Sequence, residues 1–392
     1  MSNSIAVRVE ARAFTGAPNR VNRFYRPELD VLRFLAFLCV FTVHAMQLSL
    51  GAFRGENVIA PVGSYGMCLF FFLSAYLITE LLIREQAATR TIDIRSFYVR
   101  RILRIWPLYF AFLLFGKVLG HFFPIFHLEN GRLLAFLLLL GNWYLARFGA
   151  NASPVGPLWS ISLEEQFYLV WPLLAKLGRR TLLLCSLALL PISWLTLYHH
   201  SGYQQIELGF GFDATIWCKT TVQAQFFALG AIAAIGLRGR SFHLPASARL
   251  AAFALGFGVW LAASCLFHLP GYSQHLPGPV LVAGYILIGI GCLSLFLSFL
   301  GIAPEHLPAR LVYLGKISYG LYVFHLLFLQ AAYFLLRPFF GHFNFHYGAL
   351  ILLFTKYIVA FIPTLVAAWL SYRYFERPFL VLKRKFAVVP SG

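Results

Sequence analysis

Residues 31–52 read VLRFLAFLCVFTVHAMQLSLGA, an apolar run interrupted by only two basic side chains, Arg33 and His44. A helix rises ~1.5 Å per residue, so a run of this length spans the ~30 Å hydrocarbon core of a bilayer. The rest of the chain repeats the pattern. Of its 392 residues, 60% are hydrophobic and 12% are charged, whereas a soluble domain carries about 25% charge. Too few polar residues remain to cover a water-facing surface. Inside a bilayer the backbone must satisfy its own hydrogen bonds within helices. These observations predict an all-α fold, a polytopic transmembrane helical bundle.

Further runs fall at 62–83, 106–123, 132–147, 158–178, 181–198, 217–237, 249–267, 278–300, 311–336 and 349–371. With the first they make about eleven candidate spans. Basic clusters separate them at Arg84–Arg104, Lys176–Arg180, Arg238–Arg249, Arg310–Lys316 and Arg373–Lys385. The positive-inside rule gathers such clusters on the cytoplasmic side. From Lys176 onward the clusters lie two runs apart, hence on one side. Three runs separate Arg104 from Lys176, which breaks the parity. The shortest of them, 132–147, contains Asn142 and is read as a partial or re-entrant segment. About ten crossings then remain, with both termini cytoplasmic. The expected domains are an N-terminal cytoplasmic tail at 1–26, a transmembrane domain at 27–379 and a basic cytoplasmic tail at 380–392.

Residues 1–26 carry Arg8, Arg12, Arg20, Arg23 and Arg26 but no apolar core of a signal peptide. The first span is therefore expected to act as an uncleaved insertion signal. The net charge of +18 sits in short stretches between apolar runs. That placement argues against a nucleic-acid partner and for anionic membrane lipid. The cysteines, Cys39, Cys68, Cys185, Cys218, Cys265 and Cys292, lie in or beside apolar runs without a CxxC pair. They read as small core residues.

An ionisable side chain inside a span costs ~3 kcal/mol or more, so each is a candidate functional residue. Arg33 and His44 are separated by about 20° beyond three full turns and so share a helix face, ~16 Å apart along the axis. Arg33 then lies near the cytoplasmic face and His44 near mid-membrane, where a neutral imidazole accepts a proton from a hydroxyl. The simpler reading is a histidine bonded to a neighbouring helix beside an anchoring arginine. Arg101 and Arg104, three apart, also share a face. Paired guanidinium groups hold phosphate in a bidentate way, or else anchor the span. In PLWSISLEEQFY at 157–168, Glu164 and Glu165 stand at the head of an apolar run. A capping box between Ser162 and Glu165, with Pro157 at the helix start, accounts for one carboxylate at most. The other is left to orient a histidine or a sugar hydroxyl. In SYGLYVFH at 318–325, His325 accompanies Tyr319 and Tyr322, either as interhelical bonding groups or as part of a pocket. The sequence contains no Walker loop, HExxH or GxSxG signature.

Six segments in this order resemble the motifs of the integral-membrane acyltransferase-3 family: RPELDVLRFLAFLCVFTVH (26–44), GMCLFFFLSAYLITELLIRE (66–85), FYVRRILRIWPLY (97–109), PLWSISLEEQFYLVWPLL (157–174), ISYGLYVFH (317–325) and YRYFERPF (372–379). The resemblance runs from about Pro27 to Phe379. It implies O-acyl transfer from acyl-CoA, with acetyl-CoA the expected co-substrate. The implied acceptor is a hydroxyl of an extracytoplasmic or membrane-associated carbohydrate or glycolipid, and the implied location is the bacterial inner membrane. A thioester is already activated, so no metal is expected. Arg33 and His44 match the family's Arg-x10-His motif, which implies that His44 is catalytic. Arg101 and Arg104 match its Arg-x-x-Arg motif, linked to the acyl-CoA donor, and Arg33 is expected to join them. Glu164 and Glu165 match the Trp-Ser-x-x-x-Glu-Glu-Gln segment and are expected to support catalysis. Asp30, Ser74, Tyr76, Trp159, Ser160, Tyr322 and His325 complete the implied pocket. Ser74-Ala75-Tyr76 departs from the family's Ser-Gly-aromatic motif by one methyl group, which is expected to narrow that pocket. A transporter or flippase of a lipid-linked saccharide would also carry intramembrane Arg, His and Glu. Transport, however, does not require the arginine pair beside the Arg-x10-His motif.

Overall fold

The computed structural model describes residues 24–47, 56–200, 214–237, 242–267, 269, 276–342 and 348–386. Most of the two expected tails therefore lies outside the described residues. The described chain is helical and contains no strand.

Three helices open the bundle: α1 (Pro27–Gln47), α2 (Glu56–Thr89) and α3 (Ile94–Phe122). The central helix is α2, whose apolar window is 78% buried inside the protein, followed by α1 at 67%. Close approach of the two depends on glycine. A Cβ added to Gly66 would stand 2.5 Å from the Ala36 carbonyl oxygen, and one added to Gly63 2.7 Å from that of Cys39. Without a strong hydrophobic drive in lipid, such small-residue contacts are what let helices pack. Asp93 starts α3, its side chain accepting from Ser96 N at 3.0 Å and Ser96 Oγ at 2.6 Å. This cap sets where the arginines of α3 fall.

Helices α4 (Asn130–Leu137) and α5 (Gly141–Phe148) are one broken segment. Each is ~12 Å long, too short to cross. Leu139 between them has φ +57°, and the chain turns back there. The two ends of the segment meet: Tyr144 Oη donates to Glu129 Oε2 at 2.9 Å, and Arg132 Nη1 to the Gly149 carbonyl at 3.1 Å. Its tip is held inside the bundle. Gln166 Nε2 donates to the Leu139 carbonyl and to Asn142 Oδ1, and Asn142 Nδ2 reaches Thr220 Oγ1 and the Cys218 carbonyl. Irregular backbone at membrane depth is stable only when protein satisfies it in this way.

The remaining helices are α6 (Trp159–Lys176), α7 (Arg179–His199), α8 (Ala214–Trp217), α9 (Thr220–Leu237), α10 (Ala246–Phe267), α11 (Gly278–Phe299), α12 (Ala309–Lys316), α13 (Ser318–Leu336), α14 (Gly348–Leu370) and α15 (Arg377–Arg384). A π-helical turn, Ser371–Glu376, joins the last two. Among the described residues, nine helices are long and apolar enough to cross a membrane. The 18 residues of α6 would reach ~27 Å, but Glu164, Glu165 and Lys176 keep it out of that group. With α6 the number agrees with the ten crossings reached from charge.

One local expectation is corrected. Ser162 does not cap α6. A 3₁₀ turn at Gly156–Leu158 carrying Pro157 leads into the helix, which leaves Ser162 inside it, near Tyr109 Oη at 3.4 Å.

Candidate functional site

Two cavities open into the bundle from opposite ends of α1. The first, about 700 Å³, is lined by His44, Asn151, Pro157, Trp159, Trp217 and Tyr322 among others. The second, about 670 Å³, is lined by Arg33, Arg101, Arg104, Ser74, Glu164 and Ser160 among others. Met67 and Tyr322 line both, so the two meet there. The helical periodicity that puts Arg33 and His44 on one face of α1 thus delivers them to two neighbouring cavities.

The first cavity is built around an imidazole pair. His44 Nδ1 lies 2.9 Å from the Val40 carbonyl oxygen. A carbonyl only accepts, so Nδ1 carries the hydrogen. His325 Nδ1 likewise donates to the Tyr322 carbonyl, which leaves His325 Nε2 as an acceptor. That Nε2 lies 3.2 Å from His44 Nδ1. The hydrogen on His44 Nδ1 is therefore shared between Val40 and His325, and His44 Nε2 keeps its lone pair. No described residue bonds to that nitrogen. Such an arrangement can serve as a general base, with its tautomer and ring plane set from behind. His325 is fully buried and lines neither cavity.

The second cavity is cationic at one end. Arg33 is 3.8 Å from Asp30, whose other oxygen accepts from Tyr25 Oη at 2.9 Å. Asp30 thus holds Arg33 from outside the cavity wall. Arg101 lies over the rings of Phe97 and Tyr168 at 5.7 and 5.4 Å, and its buried Nε has no hydrogen-bond partner. Neither Arg101 nor Arg104 has a carboxylate within ion-pair distance among the described residues. The two adjacent glutamates diverge. Glu164 lines the cavity and accepts from Ser74 Oγ at 2.8 Å and Tyr168 Oη at 3.3 Å. Glu165 points the other way, accepting from Trp106 Nε1 at 2.9 Å, while its second oxygen is buried without a partner.

Tyr322 stands between the two cavities and lines both. Its hydroxyl donates to the Pro157 carbonyl at 2.7 Å and meets Ser160 Oγ at 2.7 Å. Tyr76 stands apart, its ring against Phe296 at 4.5 Å, and lines neither cavity. The Ala75 methyl does not narrow either one. It faces α9, where a Cβ added to Gly230 would lie 3.1 Å from it. Sequence reading passed over Met67, Asn151 and Trp217. None carries a charge or an informative spacing, so only packing reveals them.

A family model described as "Acyltransferase domain" matches residues 26–373. The putative peptidoglycan O-acetyltransferase YrhL of Bacillus subtilis is 27% identical over 326 residues, 77% of this chain and 48% of that protein. The peptidoglycan O-acetyltransferase OatA of Listeria monocytogenes is 27% identical over 335 residues, covering 78% and 50%. A putative O-acetyltransferase of Staphylococcus aureus is 26% identical over 385 residues, covering 91% and 57%. The chain spans about half the length of these curated relatives. No solved structure matches it significantly.

Proposed function

The chain belongs to the acyltransferase family whose model it matches over residues 26–373, and from that premise we propose that it is a membrane O-acetyltransferase, carrying acetyl from acyl-CoA to a carbohydrate hydroxyl. The names of its relatives support acetyl as the group and a glycan as the acceptor. The observation that carries the reading is the meeting of the two cavities at Met67 and Tyr322, with three arginines on one and an unprotonated imidazole nitrogen on the other.

The arginine end is where the basic clusters gather, which makes it the cytoplasmic end by the positive-inside rule. Arg33, Arg101 and Arg104 receive the donor phosphates there. The thioester arm extends toward Tyr322. The acceptor hydroxyl enters beside Trp159 and Trp217, whose rings give a flat apolar wall for a sugar face. His44 Nε2 takes the hydroxyl proton as the oxygen attacks the thioester carbonyl. A C–O bond forms and the C–S bond breaks. The departing thiolate recovers the proton from the imidazolium, which leaves acetylated glycan and free CoA thiol. His325 Nε2 accepts a stronger hydrogen bond from His44 Nδ1 while the ring is charged. Glu164 supplies negative charge within the same passage.

Purified protein in lipid nanodiscs, given acetyl-CoA and a glycan acceptor, tests this directly. Acceptor-dependent release of CoA thiol is expected, lost in His44→Ala at equal protein level. Wild-type protein that releases no thiol, or His44→Ala that releases it at the wild-type rate, refutes the reading; a flippase gives the first result.

A further inference from the structure

On α2, Ser64, Met67, Phe70 and Ser74 follow one another at steps of three, three and four residues and so form one stripe along the helix. The stripe runs past both cavities. Ser64 lines the first, Phe70 and Ser74 line the second, and Met67 lines both. The other residue common to the two is Tyr322 of α13. Whatever passes between the imidazole of His44 and the arginines therefore passes Met67 and Tyr322.

The two shared side chains differ in kind. Tyr322 is fixed by its hydroxyl, bonded to the Pro157 carbonyl and to Ser160 Oγ, and its ring meets that of Phe70 edge-on at 6.2 Å. Met67 presents only apolar atoms and the thioether. It is buried in the core of the bundle, which leaves its side chain little room to swing aside. The backbone behind it has no room to retreat either. Glycines hold α2 against α1 at Gly63 and Gly66, and on α9 a Cβ added to Gly230 would run into the Phe72 carbonyl of α2. The space on the α2 side of the junction is therefore set by how far the side chain at position 67 extends.

We infer that Met67 sets the length of the acyl chain that is transferred: it closes the apolar side of the junction and restricts the donor to short acyl thioesters. This inference rests on the acyl-CoA reading above. At the tetrahedral carbon of the transfer, the sulfur leads back to the arginine cavity and the incoming oxygen arrives from the His44 cavity. The carbonyl oxygen and the acyl chain are left to face the walls between. The hydroxyls of Tyr322 and Ser160 make one wall polar, which suits the oxygen. Met67 makes the other wall apolar, which suits the methyl group of acetyl. Each further methylene then presses on the thioether. In an enclosed apolar pocket one methylene changes the rate ratio by about 10- to 200-fold.

Purified protein in nanodiscs, with one glycan acceptor, is assayed for thiol release from acetyl-CoA, propionyl-CoA and butyryl-CoA. The quantity read is the ratio of kcat/KM for butyryl to that for acetyl within each preparation, which cancels differences in the amount of active protein. Wild-type protein should favour acetyl by at least about tenfold. Met67→Ala should raise the butyryl-to-acetyl ratio by at least about tenfold, with propionyl between, and Met67→Val should shift it the same way by less. Met67→Leu, which keeps most of the volume, should stay near the wild-type ratio. Leu145→Ala enlarges the first cavity away from the shared residues and should leave the ratio as it is. Wild-type protein that uses butyryl-CoA as well as acetyl-CoA overturns the inference, whether or not the variants fold. So does a wild-type ratio in Met67→Ala, or an equal rise in Leu145→Ala. If both smaller variants lose acetyl transfer altogether, Met67 has another task and the inference falls. If wild-type protein releases no thiol from any of these donors, the acyl-CoA reading has failed instead.

Discussion

Replacing His325 by leucine isolates what the second imidazole contributes. His44 Nδ1–H is shared between the Val40 carbonyl and His325 Nε2. In the resting state the loss of His325 leaves that hydrogen bonded to Val40, so no buried donor is orphaned. The leucine also fills most of the vacated space, and the fold should tolerate the change. The cost falls where His44 becomes an imidazolium. A hydrogen bond to a charged group contributes about 1.5–3 kcal/mol. At 1.36 kcal/mol per tenfold, kcat should fall by about 10- to 150-fold. His325→Gln offers an oxygen in place of Nε2 and should recover much of that loss. The assay is single-turnover acetyl transfer in nanodiscs at saturating acetyl-CoA, with the unfolding midpoint measured alongside. His325→Leu at or near the wild-type rate refutes the reasoning. So does His325→Gln as slow as His325→Leu, because the missing quantity would then not be the acceptor.

Combining Arg101→Ala with Arg104→Ala should raise the KM for acetyl-CoA by at least about tenfold, since each guanidinium loses a charge-assisted bond of ~1.5 kcal/mol or more; an unchanged dependence on acetyl-CoA concentration removes them from the donor site. Glu129→Cys and Ala152→Cys, each in a background freed of the native cysteines, should react with a membrane-impermeant maleimide from the same side. Labelling from opposite sides would mean that 130–148 crosses the bilayer. Gly66→Val places a branched side chain against the Ala36 carbonyl and should lower stability by about 1–3 kcal/mol, read as a lower unfolding midpoint; an unchanged midpoint contradicts the close α1–α2 packing.

Much of the bundle was legible because its signals are local. Run length and charge placement set the expected number of crossings; parity showed that one of three runs is partial, and shortness with Asn142 pointed to 132–147. The structure adds why it holds inside the bundle: Gln166 and Thr220, from two other helices, satisfy its tip. The capping reading of Ser162 and Glu165 failed because the same spacing arises inside a helix, where Trp106 can take the carboxylate instead. The two adjacent glutamates belong to one sequence segment. On a helix they point about 100° apart, so Glu164 reaches the cavity and Glu165 does not.

The sequence by itself determined that this chain is a helical membrane protein and that Arg33 and His44 share a face, because span length and helical periodicity depend only on neighbouring residues. The tertiary structure decided which groups come together. His325 meets His44 across 281 positions of chain, and Tyr322 joins the two cavities from a helix that nothing in its local sequence ties to α1. Those contacts are set by how helices pack, and packing is a property of the whole bundle.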